Sequence, residues 1–388
     1  MNKNIDREPT NLADYDKDGL EIFFEKIGEK PFRAQQIIQW IHKHGVIDIS
    51  KMTTLSINLR EILTSKCIIK MPKIKNIKKS SDGTIKLIIE LLDKNLIETI
   101  FIPDGHRGTL CISSQAGCQL NCSFCATAQS GFNKNLATSE IIGQVWLAAE
   151  FLKQFESKDK FITNIVFMGM GEPLLNLVNV LPAIKILLDG NAYNISHNKI
   201  TVSTAGVVPG IKKLNEKTNV SLAVSLHAPT DTLRNRLVPL NKRYPLKILI
   251  GACKEYVGQD RNKTITFEYT LIKDINDSVE QARILVKLVR PIKAKINLIP
   301  YNNVVGLSFE SSTETNIKNF WKTLNDGGIV TTIRKNRGND ISAACGQLSG
   351  IIKKSLNHLL IQKSMAVMYQ THLMLLFHPS QGMVFQHP

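Results

Sequence analysis

Apolar positions recur at helical spacing from Gly19 to about Leu63, through GLEIFFEKIG, FRAQQIIQWIHKHG and INLREILT, with Pro31, Gly45 and a Ser/Thr cluster as punctuation. The i, i+3, i+4 spacing predicts short amphipathic helices, so residues 1–80 read as a small helical domain ending in a basic linker. That stretch carries Lys66, Lys70, Lys73, Lys75, Lys78 and Lys79, which suit either a solvated connection or a set of phosphate contacts. TIKLIIELL and LIETIFIP then flank Asp93-Lys94-Asn95. Their β-branched content and polar turn predict a hairpin leading into a larger domain.

Beyond the hairpin the period changes. Short apolar runs, TLCISSQ, NIVFMGMG, KITVSTAG, VSLAVSLHAP, TITFEYTLI and AKINLIP, alternate with helical stretches such as TSEIIGQVWLAAEFLKQF, SVEQARILVKLV and ETNIKNFWKTL. Strand, helix, strand repetition predicts an α/β fold with a parallel sheet and right-handed crossovers, and six units predict a partial (β/α)6 barrel over residues 81–350. A complete eight-unit barrel would need more chain. Residues 351–388 read as a C-terminal helix and a tail. From Ser364 onward the tail has four Met and three His but no Asp, Glu, Lys or Arg, which predicts a poorly ordered extension.

Functional groups in such barrels sit where strands end and loops begin. The unusual residues collect there: Cys118 to Cys125 after the first strand, Gly171-Glu172-Pro173 after the second, Ser203 at the third, Ser225 and His227 at the fourth, and Asn302 just past the sixth. The pattern predicts one mouth that gathers them all.

Composition adds a partner class. With 43% hydrophobic and 21% charged residues, the 388-residue chain has material for a core, which excludes wholesale disorder. Its 49 Lys+Arg against 33 Asp+Glu leave +16, a field that draws polyanions and makes nucleic acid the first partner to test. The abundance of Lys and Asn equally fits a basic enzyme from an AT-rich genome, so position has to decide. No apolar run suits a membrane span and no leader pattern precedes the helices, so a cytoplasmic protein without a membrane partner is expected. Seven cysteines, an odd number in a reducing compartment, point to metal binding or catalysis rather than a disulfide framework.

Cys118-x3-Cys122-x2-Cys125 places three thiols in one loop. Thiolates suit zinc or iron–sulfur clusters. A structural zinc site needs a fourth ligand, for which Cys111 or His106 stand nearest in sequence. A four-iron cluster held by three thiolates instead keeps one iron open, and an open iron can take a small chelator such as the amino and carboxylate groups of S-adenosylmethionine.

Cys-x3-Cys-x2-Cys at the end of a first barrel strand, with Phe124 before the last cysteine, closely resembles the signature of the radical S-adenosylmethionine (radical SAM) superfamily. RGTLCISSQAGCQLNCSFCATAQSGFNKNL, MGMGEPLLN, ITVSTAGVVPGI, AVSLHAPTD with RNRLVPLN, and IRKNRGNDISAACGQL narrow the resemblance to the RlmN/Cfr family of RNA adenine methyltransferases. It spans about residues 15 to 360. FRAQQIIQWIH is similar to the family's helical N-terminal domain, which engages RNA.

The resemblance implies a radical SAM enzyme with one [4Fe-4S] cluster on Cys118, Cys122 and Cys125, consuming two molecules of S-adenosylmethionine per methylation. Cys345 takes a methyl group from the first, and a radical generated from the second converts it to a methylene that adds to adenine. Cys111 then resolves the protein–RNA thioether, leaving a disulfide, and Glu98, which reads as ending the hairpin strand in LIETIFIP, accepts the ring proton. Gly171, Glu172, Ser203, Ser225, Leu226, His227 and Asn302 correspond to the cofactor contacts. Arg334, Lys335 and Arg337 can favour the thiolate and hold phosphates, whereas Cys67 and Cys253 read as small buried hydrophobes. The implied substrates are an adenosine of 23S rRNA and the adenosine adjacent to the anticodon in tRNA, methylated at carbon 2 after leaving its stack. An electron donor such as flavodoxin and a monomeric state are expected. Cfr-type methylation at carbon 8 is the close alternative, and a zinc-stabilised RNA-binding protein the alternative from another class.

Overall fold

A computed structural model describes residues 9–349 except 259, 261 and 262. The helix and extension expected over 351–388 lie outside the described residues. Three amphipathic helices open the chain, α1 (Lys17–Lys26), α2 (Arg33–His42) and α3 (Ile57–Lys66). The Asp16 carboxylate caps α1 by accepting the Gly19 N–H at 2.9 Å, and the Ser56 hydroxyl caps α3 through the Leu59 N–H at 3.2 Å. Leu20, Phe24, Ile37, Ile41, Leu59 and Leu63 are fully buried, as the helical spacing requires.

Ten strands follow in one sheet: β1 (Lys73–Lys79), β2 (Ile85–Glu90), β3 (Leu96–Asp104), β4 (Arg107–Cys111), β5 (Asn164–Phe167), β6 (Ile200–Thr204), β7 (Ser221–Ser225), β8 (Ile265–Leu271), β9 (Ala294–Pro300) and β10 (Val330–Ile333). They are neighbours in chain order. The first four pair antiparallel, and every pairing from β4 onward is parallel. The crossovers carry α4 (Thr138–Phe151), α5 (Leu177–Leu188), α6 (Val208–Lys217), α7 (Leu246–Val257), α8 (Val279–Val289) and α9 (Glu314–Asp326). An open run of parallel strands in chain order is the incomplete barrel expected, and it brings the C-terminal ends of the strands to one side.

The structure corrects three sequence readings. The lysine stretch is not a linker: Lys73–Lys79 is the edge strand of the sheet, mostly exposed and paired with β2, where lysines discourage edge-to-edge association. The parallel run has a seventh member, because α9 leads into β10, which pairs with β9 from Lys295↔Val330 to Leu298↔Ile333. Glu98 does not end a strand but stands third in β3 and is buried.

The helical domain shares one continuous hydrophobic core with the sheet. Trp146 on α4 donates its indole N–H to the Ile41 carbonyl at 3.1 Å, and His42 Nδ1 lies 3.3 Å from the Tyr193 hydroxyl. Trp146→Phe leaves a buried carbonyl without its donor, so we expect a loss of about 1–3 kcal/mol in chemical denaturation.

Candidate active site

The loop that follows β4 is built from its backbone outward. Gln144 accepts the Ser113 N–H at 2.7 Å and donates back to the Ser113 carbonyl at 2.8 Å, and Asn176 donates to the Ser114 and Leu136 carbonyls at 2.9 and 2.8 Å. Gln115–Gly117 then pairs with Phe132–Asn135. Only glycine fits at Gly117, where φ is +76° and a Cβ would come within 1.9 Å of the Gly131 carbonyl oxygen. From this ribbon the loop projects Cys118, Cys122 and Cys125 into a cavity of about 170 Å³. Burial pushes the Cys118 thiol up to about 12 and raises Cys122 and Cys125 as well. Three thiolates kept this far from water need a bound cation to compensate them.

Neither residue considered as a fourth zinc ligand stands at this cavity. His106 lies in the turn before β4, at the strand's opposite end, and Cys111 lines a separate cavity. Among the described residues, no three His, Cys, Asp or Glu side chains converge on a single ion position. Three thiolates on one loop fit an iron–sulfur cluster, in which each would bind a different iron.

The opposite walls carry most of the other expected residues. Gly171, Glu172, Ser203, Ser225, His227 and Asn302 all line the cavity. Gly171 adopts φ +96°, and a Cβ there would lie 2.4 Å from Gln115 Cβ. The buried Glu172 carboxylate accepts the Leu174 and Ala205 N–H groups at 3.1 and 2.8 Å, and desolvation lifts it to about 7 despite those bonds. His227, at φ +57°, is held by Asn276, which donates to its carbonyl at 2.8 Å. Its Nδ1 accepts the Thr270 N–H at 3.1 Å. Burial, then Arg234, depress it to about 3, so the neutral ring keeps its proton on Nε2. Asn302 donates to the Cys345 carbonyl at 3.2 Å, while its buried Oδ1 accepts no hydrogen bond among the described residues. Leu226 is fully buried and absent from the wall; its carbonyl accepts from Arg234 Nε at 3.0 Å.

Cys345 lines both cavities, whereas Cys111 lines only the second, of about 30 Å³. Met168, Ile299, Asn302, Arg334 and Leu348 also face both, so Cys345 stands in a partition between the cysteine cluster and Cys111. Burial pushes the Cys111 thiol to about 12, with Cys345 adding to the rise and Arg334 opposing it. All seven cysteines are free, so the expected Cys111–Cys345 disulfide is not formed here. Glu98 lines neither cavity; its carboxylate is paired with Lys86 at 3.3 Å.

Sequence reasoning missed several groups that shape this site. Arg234, in RNRLVPLN, is fully buried and donates to the carbonyls of Ala205 at 2.6 Å, Ser225 at 3.1 Å and Leu226, and to Asn241 Oδ1 at 2.9 Å. It ties together the ends of β6 and β7. Gln115, Asn176 and Glu268 were equally silent, because a polar residue in a sequence reads as surface unless its partners are known.

Glu172 generates a pH prediction. In the folded protein it holds its proton more tightly than in the unfolded chain, so its stabilising contribution is full below about 4.5 and is lost as the pH rises through about 7. Denaturant titrations of the cofactor-free protein at pH 4 and 8 are therefore expected to show wild type losing about 3 kcal/mol relative to Glu172→Gln across that interval.

Comparisons with known proteins agree with this geometry. A model of the ribosomal RNA large subunit methyltransferase N-terminal domain matches residues 10–69, and one of the radical SAM superfamily matches 112–285. The dual-specificity RNA methyltransferase RlmN of Francisella tularensis subsp. novicida (strain U112) is 49% identical over 356 residues, covering 91% of this chain and 96% of that protein. The RlmN of Marinobacter nauticus is 49% identical over 348 residues, 89% of this chain and 94% of that one. The crystal structure of a radical SAM methyltransferase from Sphaerobacter thermophilus superposes with a TM-score of 0.81 at 40% identity, over 88% of this chain and 99% of that chain. With 49% identity across 91% of its length, the chain belongs to the RlmN family of dual-specificity RNA methyltransferases, within the radical SAM superfamily.

Proposed function

We propose that this protein methylates carbon 2 of an adenosine in 23S rRNA and of the adenosine beside the anticodon in tRNA, in the cytoplasm where those RNAs are modified. The observation that carries the reading is the place of Cys345, in a partition reachable from the cysteine cluster on one side and from Cys111 on the other. Cys118, Cys122 and Cys125 hold the [4Fe-4S] cluster. Bound there with S-adenosylmethionine, the cluster supplies the one-electron chemistry that an electrophilic amidine carbon demands, with electrons from a donor such as flavodoxin.

The protein's own groups divide the remaining work. Gly171 allows close backbone approach, and Glu172 offers a carboxylate to the cofactor's ammonium. The Nε2–H of neutral His227 donates and the Asn302 Oδ1 accepts, while Ser203 and Ser225 complete the polar contacts; Leu226, whose N–H and carbonyl are bonded to Glu268 and Arg234, takes no part. Cys345 would carry the methyl carbon as S-methylcysteine, lose one of its methyl hydrogens to the deoxyadenosine by-product, and through that carbon become linked to the base. The Cys111 thiolate attacks the sulfur of that link, so an S–S bond forms as the carbon–sulfur bond breaks; the released carbon keeps the electron pair and takes a proton to become the product methyl, and an external reductant returns two electrons to the disulfide. Glu98 takes the ring proton in this reading, which requires its carboxylate to leave Lys86. The helical domain, with α2 as its FRAQQIIQWIH segment, and the basic residues Arg334, Lys335 and Arg337 hold RNA phosphates.

Anaerobic incubation of the reconstituted enzyme with S-adenosylmethionine, reductant and RNA is expected to yield deoxyadenosine together with 2-methyladenosine, identified by mass spectrometry against standards. 8-Methyladenosine, or unmodified RNA, would contradict the proposal. Cys345→Ala is expected to abolish product, and Cys111→Ala to trap RNA covalently on the protein, visible as a band resistant to denaturing gels. Free turnover by the Cys111 variant rules out its resolving role.

A further inference from the structure

The antiparallel half of the sheet carries a buried ammonium that the reaction has not used. Lys78↔Lys86, Lys86↔Ile100 and Ile100↔Cys111 are directly opposed pairs. Opposed residues share a face, so Lys86 stands on the face that bears Cys111, two strands away. Its side chain is 5% exposed and that of Glu98 is 4% exposed. Burying such a pair is costly unless further hydrogen bonds satisfy it, and apolar residues would fill the same space more cheaply. Lys86 Nζ has one such further bond: it donates to the Ser342 carbonyl at 2.9 Å.

Ser342 is three residues before Cys345 and adopts φ +53°, ψ +45°. A non-glycine residue in this left-handed region is strained and persists only where its surroundings hold it. The same segment is tied to the β1–β2 hairpin at two more points. The Asp82 carboxylate accepts the Gly338 N–H at 2.9 Å, and Asp340 accepts the Ser80 hydroxyl at 2.6 Å and the Ser81 N–H at 3.1 Å. On the far side of Cys345, the Gly346 carbonyl accepts the Ala126 N–H at 2.8 Å, immediately after the cluster loop. The loop is therefore stretched between the hairpin and the cluster, with Cys345 between the two anchors.

We propose that Lys86 is a positioning residue for Cys345: its ammonium, neutralised by Glu98, holds the Ser342 carbonyl and so fixes the loop that keeps Cys345 in the partition between the two cavities. This rests on the reading of Cys345 as the methyl carrier. It gives the buried ion pair a task in methyl loading, before any RNA is engaged, and it makes the β1–β2 hairpin part of the catalytic apparatus rather than an edge ornament.

The test compares wild type, Lys86→Arg, Lys86→Met and the double variant Lys86→Met/Glu98→Leu in the full-length protein. The double variant removes both buried charges together, which avoids the unpaired carboxylate that could unfold the single variant. Amide hydrogen exchange of a peptide covering 338–349 is read in the cofactor-free protein, and S-methylation of Cys345 by peptide mass after reconstitution and incubation with S-adenosylmethionine. Loss of one charge-assisted hydrogen bond is expected to speed loop exchange by roughly tenfold in the double variant and to slow methyl loading by a similar factor, with iron content unchanged. Lys86→Arg, which keeps a buried cation donor, is expected to restore both towards wild type. Wild-type exchange in the double variant overturns the proposal, as does fast exchange with undiminished loading. A wild-type enzyme that never methylates Cys345 overturns the underlying reading and the proposal with it, and the wild-type arm alone reports that failure.

Discussion

Holding three cysteine sulfurs out of water on a single loop, with neither Cys111 nor His106 beside them, is the constraint on which the rest of this structure turns. Desolvation raises all three thiols, so their ionised form is stable only against a strongly cationic guest. Backbone bonds such as Cys118 N–H to the Gly131 carbonyl at 2.9 Å and Ser123 N–H to the Leu237 carbonyl at 3.1 Å hold the loop in shape.

The parallel sheet supplies the facing wall. Because β4 to β10 lie side by side in chain order, the ends of β6 and β7 and the loops after β5, β7 and β9 deliver Ser203 and Ser225, and Gly171 with Glu172, His227 and Asn302, to one cavity. Arg234 secures the ends of β6 and β7 by donating to the carbonyls of Ala205, Ser225 and Leu226. A buried guanidinium satisfied mainly by main-chain oxygens rigidifies a wall without adding a competing acidic ligand. The second cavity extends the same logic: Arg334, facing Cys345, Glu268 and Cys111, is drawn above its ordinary value first by Cys345, and it places fixed positive charge where sulfur chemistry is proposed.

Much of this was legible in the chain because it is local. Cys118-x3-Cys122-x2-Cys125 reads from spacing alone, and the strand-ending positions of Glu172, Ser203, Ser225 and Asn302 follow from a change of period and the geometry of parallel sheets. What escaped is nonlocal. β10, with the sequence VTTI, is four residues long and half threonine, so it carries no hydrophobic run to announce it. β1 has five polar residues among seven and becomes a strand only through pairing with β2, a tertiary override of propensity. Arg234 reads as surface because nothing in a sequence displays four acceptors that its fold will gather. Glu98 reads as a reactive or solvent-facing carboxylate, whereas its burial depends on Lys86, twelve residues away across a hairpin. The proximity of Cys111 and Cys345, 234 residues apart by number, was expected only through family resemblance; in the structure both line the second cavity.

The measurement that bears most directly on the open corner is Mössbauer spectroscopy of the protein reconstituted with isotopically enriched iron, recorded with and without S-adenosylmethionine. The account predicts a four-iron cluster in which a single iron changes its spectrum when the sulfonium compound is added while the other three stay fixed. A mononuclear metal, or a cluster whose irons are all indifferent to that compound, would contradict it.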